Sequence, residues 1–235
     1  NGAYNLKVLS GGNVSGVTVS VLGNTGTTSL GDQTTDALTF VAGLTATSSS
    51  LLNLAGTIAT TNNAMNLGNS VLTTNTILQS GSGTITTGSV TGGAGIKLSL
   101  QNNLAIGAVN LTGNVTVNQL ETFAGGYAVI LTGSSNQISS GTATTFLNTG
   151  GVTFGDSTTD VSTFTNGLTA TASPVITLAG TVVTTNSAMN LGAVTLTTDG
   201  TVKSGSGTIT IASVNGANRK LSLQDNTSNS RGLVV

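Results

Sequence analysis

Paired carboxylates are the residues in this chain whose type and spacing come nearest to catalytic chemistry. The chain has seven acidic residues, and the only pairs close in sequence are Asp32 with Asp36 and Asp156 with Asp160. A glycosidase needs two carboxyl groups about 5 to 9.5 Å apart, one of them held at a raised pKa. The two pairs therefore define the one enzymatic hypothesis that the sequence offers, cleavage of a glycan.

Both pairs lie in the same phrase, and this favours a structural role. The sequence reads GDQTTDALTF at 31–40 and GDSTTDVSTF at 155–164, an offset of 124 residues. Asp and Thr side chains in such a phrase hydrogen-bond to nearby backbone in Asx and ST turns. We therefore predict that these aspartates shape a turn in each copy. A calcium site built from their carboxylates and neighbouring carbonyls is the alternative.

Histidine and cysteine are absent from the sequence, which removes most other catalytic chemistry. Without histidine there is no Ser-His-Asp triad and no imidazole base, and the usual zinc ligands are missing. No Lys follows Gly as in a GK[ST] phosphate loop, and we interpret the glycine-rich stretches at 81–83 and 92–95 as turns. We expect no enzymatic activity, no cofactor and no metal centre.

Two further groups of side chains are candidates for contact with a ligand. Phe123 and Tyr127 flank a Gly-Gly pair and would suit a sugar-stacking platform, although sparse aromatic residues more often fill a wide part of a core. Arg219 and Lys220 form the one basic doublet, for which a glycan or polyanion contact is the alternative to a solvated turn. We predict packing for the aromatic pair and a turn for the basic pair.

Charge and hydropathy argue against two other classes of partner. The net charge is −1, and the six Lys and Arg residues are too few and too scattered to neutralise a row of phosphates. No apolar run approaches the roughly 20 residues of a membrane-spanning helix. We expect neither nucleic-acid binding nor membrane insertion. The chain begins at Asn1 rather than Met, which leads us to expect a processed or excised piece of a longer protein.

The second half of the sequence repeats the first. Residues 31–91 and 155–215 share 37 identities in 61 aligned positions at an offset of 124 residues. The phrase KLSLQ then recurs at Lys97 and Lys220 with an offset of 123 residues, and residues 2–13 align less closely with 125–136. The chain is thus predicted to contain two repeat units, 1–123 and 124–235, joined in one continuous solenoid.

The composition and spacing of apolar residues indicate very short β-strands. Aromatic residues make up 3% of the chain, so the core must be built mainly from Val, Ile, Leu and Ala. Short apolar runs recur about every six to eight residues, with Gly, Asn and Ser between them. We predict an all-β parallel β-helix with three strands and about 20 residues per coil, hence about six coils per unit and about 11 in the chain. Gly and Asn are expected at the corners, where positive φ is needed.

Several phrases of the repeat resemble those of a known class of proteins. SGSGTIT at 80–86, AMNLG at 64–68 and FAGGYAVILTG at 123–133 are similar to the β-strand-repeat regions of large bacterial exoproteins, the filamentous-haemagglutinin-like and autotransporter-passenger-like surface adhesins. The resemblance covers the whole chain. It implies a right-handed parallel β-helix displayed outside the cell, with a role in adhesion, biofilm formation or contact-dependent processes.

These observations lead to one expected function and two alternatives. We expect a structural repeat segment of a secreted or cell-surface adhesin, which forms a rigid stalk at the outer surface of a bacterium and whose partners are the neighbouring repeats. The first alternative is a subunit of an extracellular filament, in which identical chains pair end to end through open strand edges. The second is a β-helix that binds or cleaves cell-surface glycans.

Overall fold

A computed structural model describes residues 2–16, 18–101, 105–216, 218–224 and 233–234. β-Strand is the regular secondary structure of these residues, which confirms the predicted all-β class. Within the same ranges, no helix has the length and apolar character needed to cross a membrane. In chain order the strands are β1 (Leu6–Val8), β2 (Gly12–Val14), β3 (Ser20–Val21), β4 (Thr27–Leu30), β5 (Ala37–Phe40), β6 (Leu44–Ala46), β7 (Leu51–Thr60), β8 (Met65–Leu67), β9 (Ser70–Gln79), β10 (Ile85–Thr87), β11 (Val90–Gly92), β12 (Lys97–Leu100), β13 (Val109–Leu111), β14 (Val115–Val117), β15 (Gln119–Thr122), β16 (Val129–Leu131), β17 (Ser135–Ile138), β18 (Thr144–Thr145), β19 (Val152–Phe154), β20 (Val161–Phe164), β21 (Leu168–Ala170), β22 (Ile176–Thr184), β23 (Met189–Lys203), β24 (Ile209–Asn215), β25 (Leu221–Gln224) and β26 (Leu233–Val234).

The strands coil into a three-sided parallel β-solenoid, as predicted. The strands pair in parallel with strands of the preceding or following coil. We call the three sides face 1, which begins with β1 and β4, face 2, which begins with β2 and β5, and face 3, which begins with β3 and β6. The longest strands bend around corners, and β23 contributes to all three faces.

The coils differ in length, and their mean length is close to the predicted value. Along face 1, successive paired positions are Lys7, Ser29, Asn53, Val71, Thr91, Thr116, Gln137, Thr163, Val183, Lys203 and Gln224. The shortest of these ten steps runs from Asn53 to Val71, and the longest runs from Gln137 to Thr163. At about 4.8 Å per step, the column is about 50 Å long. The right-handedness that the resemblance implies stays a prediction.

Inward side chains form one continuous apolar column. In β6, for example, Leu44 and Ala46 are buried and Thr45 between them points outward, which is the period-2 alternation of a strand with one buried side. The coil with the longest step on face 1 contains three phenyl rings, those of Phe146, Phe154 and Phe164, whose centroids lie 5.5 to 6.0 Å apart in edge-to-face contact. Sparse aromatic residues thus serve the core.

Asparagine side chains tie successive coils together at the corners. The Oδ1 atom of Asn62 accepts a hydrogen bond from the backbone N–H of Ser82 at 3.0 Å, and the equivalent Asn186 accepts one from Ser206 at 3.1 Å. Both asparagines have positive φ, 55° and 53°. Gly81, one coil after Asn62, also has positive φ, and a Cβ atom there would collide with the Asn62 Oδ1. The predicted use of Gly and Asn at corners is confirmed.

The length of one sequence repeat unit does not correspond to a whole number of coils. Thr39 and Thr163 are equivalent at the offset of 124 residues, yet Thr39 lies on face 2 in β5 and Thr163 lies on face 1 in β20. The chain from Thr39 to Thr163 makes five full coils of three faces each and then passes two further faces. One unit therefore spans 17 strand positions, about one third of a coil less than the predicted six coils. The second unit is therefore turned by one face relative to the first. The boundary between units at residues 123 and 124 stays a prediction.

The corner asparagines give a prediction for stability. Replacing Asn62 by Ala removes a hydrogen bond between coils. It also places in the left-handed region an alanine, whose side chain has no polar group to hydrogen-bond locally. We therefore expect a loss of about 1 to 2 kcal/mol in the free energy of unfolding. Asn62→Gly is the matched control, because it loses the same hydrogen bond but adopts positive φ freely. Urea unfolding followed by circular dichroism measures both. Equal stability of the Ala and Gly variants would contradict the role assigned to the backbone conformation.

Candidate functional site

The two aspartate pairs form the same turn in both units. The backbone N–H groups of Asp32 and Gln33 donate to the Asp36 Oδ2 at 2.8 and 3.0 Å. In the second unit, the N–H groups of Asp156 and Ser157 donate to the Asp160 Oδ2 at 2.9 and 3.0 Å. The carboxylate of the second aspartate in each pair therefore closes the turn by accepting from backbone N–H groups three and four residues earlier, which is a local structural role but not the forward bond of an Asx turn.

The carboxyl group of Asp36 is stabilised in its ionised form by this turn. The hydrogen bonds from the Asp32 and Gln33 backbone N–H groups hold the pKa of Asp36 below its ordinary value of 3.8. The carbonyl of Asp36 also accepts a hydrogen bond from the N–H of Thr57 in the next coil at 2.7 Å. One residue thus both shapes the turn and joins two coils.

The structure does not bring the two pairs together. The turn of the first unit joins β4 to β5 at the corner between faces 1 and 2, whereas the turn of the second unit joins β19 to β20 at the corner between faces 3 and 1. In the part of the chain that the structure describes, no group of three or more acidic side chains lies close enough to hold a metal ion. Of the remaining acidic residues, Asp225 lies outside the described residues.

The basic doublet occupies an exposed corner. The backbone N–H of Arg219 donates to the carbonyl of Gly216 at 2.7 Å, which closes a turn. The N–H of Lys220 donates to the Asp199 Oδ1 at 2.9 Å, as the N–H of the equivalent Lys97 donates to the Asn75 Oδ1 at 2.9 Å. The backbone of this segment joins coils in the same way in both units, in keeping with the turn that the sequence predicted.

Tyr127 belongs to the core and is not part of a binding platform. Its side chain is fully buried, its hydroxyl donates to the carbonyl of Leu100 at 3.1 Å, and the same hydroxyl accepts from the N–H of Phe123 at 2.8 Å. Burial raises the pKa of this hydroxyl above its ordinary value of 10.0. The equivalent tyrosine of the first unit, Tyr4, lies in the first coil and is 58% exposed.

Phe123 bonds to the Tyr127 hydroxyl through its backbone, but its own side chain lies at the surface. Its half-buried side chain lines a groove of about 200 Å³ on face 2, together with Glu121, Leu147 and Thr145. Leu147 is 47% exposed, so this groove has an apolar surface that solvent can reach. The two members of the predicted aromatic pair therefore serve different roles, Tyr127 in the core and Phe123 in a groove.

An ion pair at the edge of this groove was not identified from the sequence. The Nζ of Lys97 lies 2.9 Å from the Glu121 Oε2, and the Ser99 hydroxyl donates to the same oxygen at 2.7 Å. Burial alone would raise the pKa of Glu121, but the hydrogen bonds from Lys97 and Ser99 and the charge of Lys97 lower it below its ordinary value of 4.5. The coil length is the feature of the sequence that could have placed Glu121 in this site, because Ser99 and Glu121 are paired positions one coil apart.

The groove coincides with an interruption of the strand ladder. Among the described strands, successive coils are paired at each step of the three faces except between β15 and β18. There the side chain of Thr122 takes the place of backbone pairing. Its hydroxyl accepts from the N–H of Leu147 at 2.8 Å and donates to the carbonyl of Thr145 at 3.4 Å. The departure from regular pairing leaves the concavity that Phe123 lines.

Comparisons with known proteins gave no match for this chain, whether against protein-family models, curated proteins or solved structures.

The lowered pKa of Asp36 predicts how the first turn responds to pH. A carboxyl group whose pKa is lower in the folded state adds stability above its unfolded value, and this contribution disappears as the pH falls through the folded pKa. We therefore expect Asp36→Asn to be less stable than the parent chain at pH 6, and the difference to shrink as the pH falls below the ordinary 3.8. Urea unfolding between pH 2 and pH 6 measures it.

Gln33→Ala is the matched control for this experiment. It lies in the same exposed turn and keeps the backbone N–H that donates to Asp36. Its stability relative to the parent chain should not vary with pH. A constant difference for Asp36→Asn across the whole range would contradict the role of the ionised carboxylate.

Proposed function

We propose that this chain is a rigid segment of a longer rod, which acts as a structural spacer in a bacterial cell-surface or secreted protein of the adhesin type. The observation that carries the proposal is the unbroken ladder of ten coil-to-coil steps on face 1, which is accompanied by the ladders of the other two faces and encloses one apolar column. In such a column the backbone hydrogen bonds run along the rod axis on three sides. Bending the rod in any direction must therefore open the ladder on one face.

The residues that the two units share support a structural role. Phe40 and Phe164 are equivalent and both buried, as are Met65 and Met189. The corner asparagines and the aspartate turns are likewise repeated with the same hydrogen bonds. What recurs in this chain is thus the set of residues that build the core and corners.

The rotation between units also favours a spacer over a one-sided binding surface. Because equivalent residues of the two units lie on different faces, a surface feature carried by the repeat points in different directions along the rod. A repeated ligand site would need a whole number of coils per unit in order to face one flat target. A rod has no such requirement, since its stiffness depends only on the pairing between neighbouring coils.

The proposed location and protein type are supported by one observation, and the lack of enzymatic activity is supported by another. The extracellular location and the adhesin type rest on the resemblance of the repeat phrases. The absence of enzymatic activity is supported by the engagement of Asp36 and Asp160 in turns at separate corners. Assembly of identical chains into an end-to-end filament stays a prediction.

The rod is tested by distances between spin labels on one face. Ser29, Thr116 and Val183 are outward positions of one face 1 ladder, with Thr116 four steps and Val183 seven steps from Ser29. Double electron–electron resonance on cysteine pairs should give narrow distributions centred at about 19 Å for Ser29→Cys with Thr116→Cys, and about 34 Å for Ser29→Cys with Val183→Cys. The label linkers add a similar width to both.

The shorter pair is the control for label mobility. If the longer pair gave a much broader distribution than the shorter one, the chain would bend between coils and would not serve as a rigid spacer. A distance for the longer pair that did not exceed that of the shorter one would contradict the stacked coil itself. Unchanged distances in 1 M salt are expected, because the ladder is made of backbone hydrogen bonds and buried apolar contacts.

A further inference from the structure

Two grooves meet over one corner of the solenoid. The groove of Phe123 lies on face 2, and a second groove of about 250 Å³ is lined by Gly93, Thr116 and Asn118. Asn118 is followed directly by Gln119 of the first groove, and Ser139 of the second groove is followed directly by Ser140 of the first. The two concavities thus adjoin across the corner between faces 1 and 2. We call them together the corner groove.

We propose that the corner groove binds a neutral oligosaccharide. Its position at the one unpaired step among the described strands of face 2 sets it apart from the repeated features of the rod. The proposal goes beyond the spacer function and does not depend on it. The two grooves together fall in the size range of sites that hold one drug-sized ligand, which is large enough for a short oligosaccharide.

The apolar part of the groove suits the carbon-bound hydrogens of a sugar ring. Phe123 presents a half-buried aromatic ring, and the exposed side chain of Leu147 extends the apolar surface beside it. Aromatic rings bury a large area in a defined orientation at small entropic cost, which is what recognition of a rigid pyranose ring needs.

The polar part of the groove suits hydroxyl groups. Amide and hydroxyl side chains line it, those of Gln119, Asn118, Ser140 and Thr145. Amides and hydroxyls both donate and accept hydrogen bonds, as sugar hydroxyls do. Glu121 adds a further hydrogen-bond acceptor. Lys97 and Ser99 both contact its Oε2 atom, so its Oε1 atom can accept a hydrogen bond from a sugar hydroxyl.

The charge of the groove favours a neutral ligand over an acidic one. The carboxylate of Glu121 is paired with Lys97, so the two charges offset each other at the rim. The other lining residues of the two grooves are uncharged. A phosphate or a uronic acid would meet no unpaired cation among them and would lie near a carboxylate.

A peptide strand is the competing occupant, and the local pairing disfavours it. Peptides usually add to a sheet at a free strand edge. Between β15 and β18, the Thr122 side chain bonds to the backbone on either side of Phe146 and closes the gap. The step therefore provides a concavity and not an open edge.

The test uses the whole chain and three neutral probes, cellohexaose, maltohexaose and chitohexaose, in ligand-observed saturation-transfer NMR. We expect at least one probe to bind, and Phe123→Ala to weaken that binding about tenfold because the stacking surface is lost. Tyr4→Ala is the matched control, since Tyr4 is an exposed aromatic residue far along the rod from the groove. It should leave binding unchanged.

A second variant guards against a loss of binding caused by misfolding. A Cβ atom at Gly93 would meet only the Ile96 Cδ1 at 3.7 Å, an ordinary contact, so Gly93→Leu should fold and fill the second groove. We expect it to weaken binding of the hexasaccharide while leaving the circular dichroism spectrum and the spin-label distances unchanged. The spin-label distances also separate failure of this proposal from failure of the rod.

Three outcomes would overturn the proposal. The first is no saturation transfer to any of the three probes at millimolar concentration. The second is an equal loss of binding in Phe123→Ala and Tyr4→Ala. The third is stronger binding of a competing occupant, either an acidic hyaluronan hexasaccharide or an extended Thr- and Val-rich peptide, than of the neutral probes.

Discussion

Backbone pairing between successive coils is the interaction on which the rest of the structure depends. Most of the strands have only three or four residues, and a pair of such strands would not be stable alone. Stacked in register, each gains hydrogen bonds from the coils on both sides, and its inward residues join one buried column. The chain tolerates coils of unequal length because the extra residues lie at corners and leave the ladder positions in register.

The same pairing decides which distant residues meet. A step of about one coil brings Lys97 to Glu121, Asn75 to the N–H of Lys97, and Asn62 to the N–H of Ser82. A residue that is isolated in the sequence can therefore have a charged or polar partner one coil away. In a chain with 6% charged residues, the pairing of Lys97 with Glu121 is informative, because it lies beside the step at which the ladder of the described strands is interrupted.

The sequence was sufficient to predict the class of fold, but not which face of the solenoid each part of the repeat unit occupies. Alternating apolar residues and polar spacers gave strands, a mean coil length and corner asparagines such as Asn62, since these follow from local chemistry. The rotation of one face per unit was not predictable, because the mean coil length does not reveal which individual coils are shorter or longer than the mean. The separation of Phe123 from Tyr127 was missed for a related reason. At a corner the alternation of inward and outward residues is broken, so spacing alone does not give the direction of a side chain.

The corner groove and the aromatic core are two sides of one irregular coil. A regular coil offers flat faces, in which outward side chains stack about every 4.8 Å and leave little concavity. The longest step on face 1 belongs to the coil that contains β18, and there Phe146 is buried against Phe154 and Phe164 while its neighbours Thr145 and Leu147 point outward into the groove. The same coil thus holds the three rings in its interior and lacks the pairing with β15 at its surface. In this chain the surface concavity lies where the regularity of the solenoid is relaxed, and the three phenyl rings pack against one another inside the coil at that point.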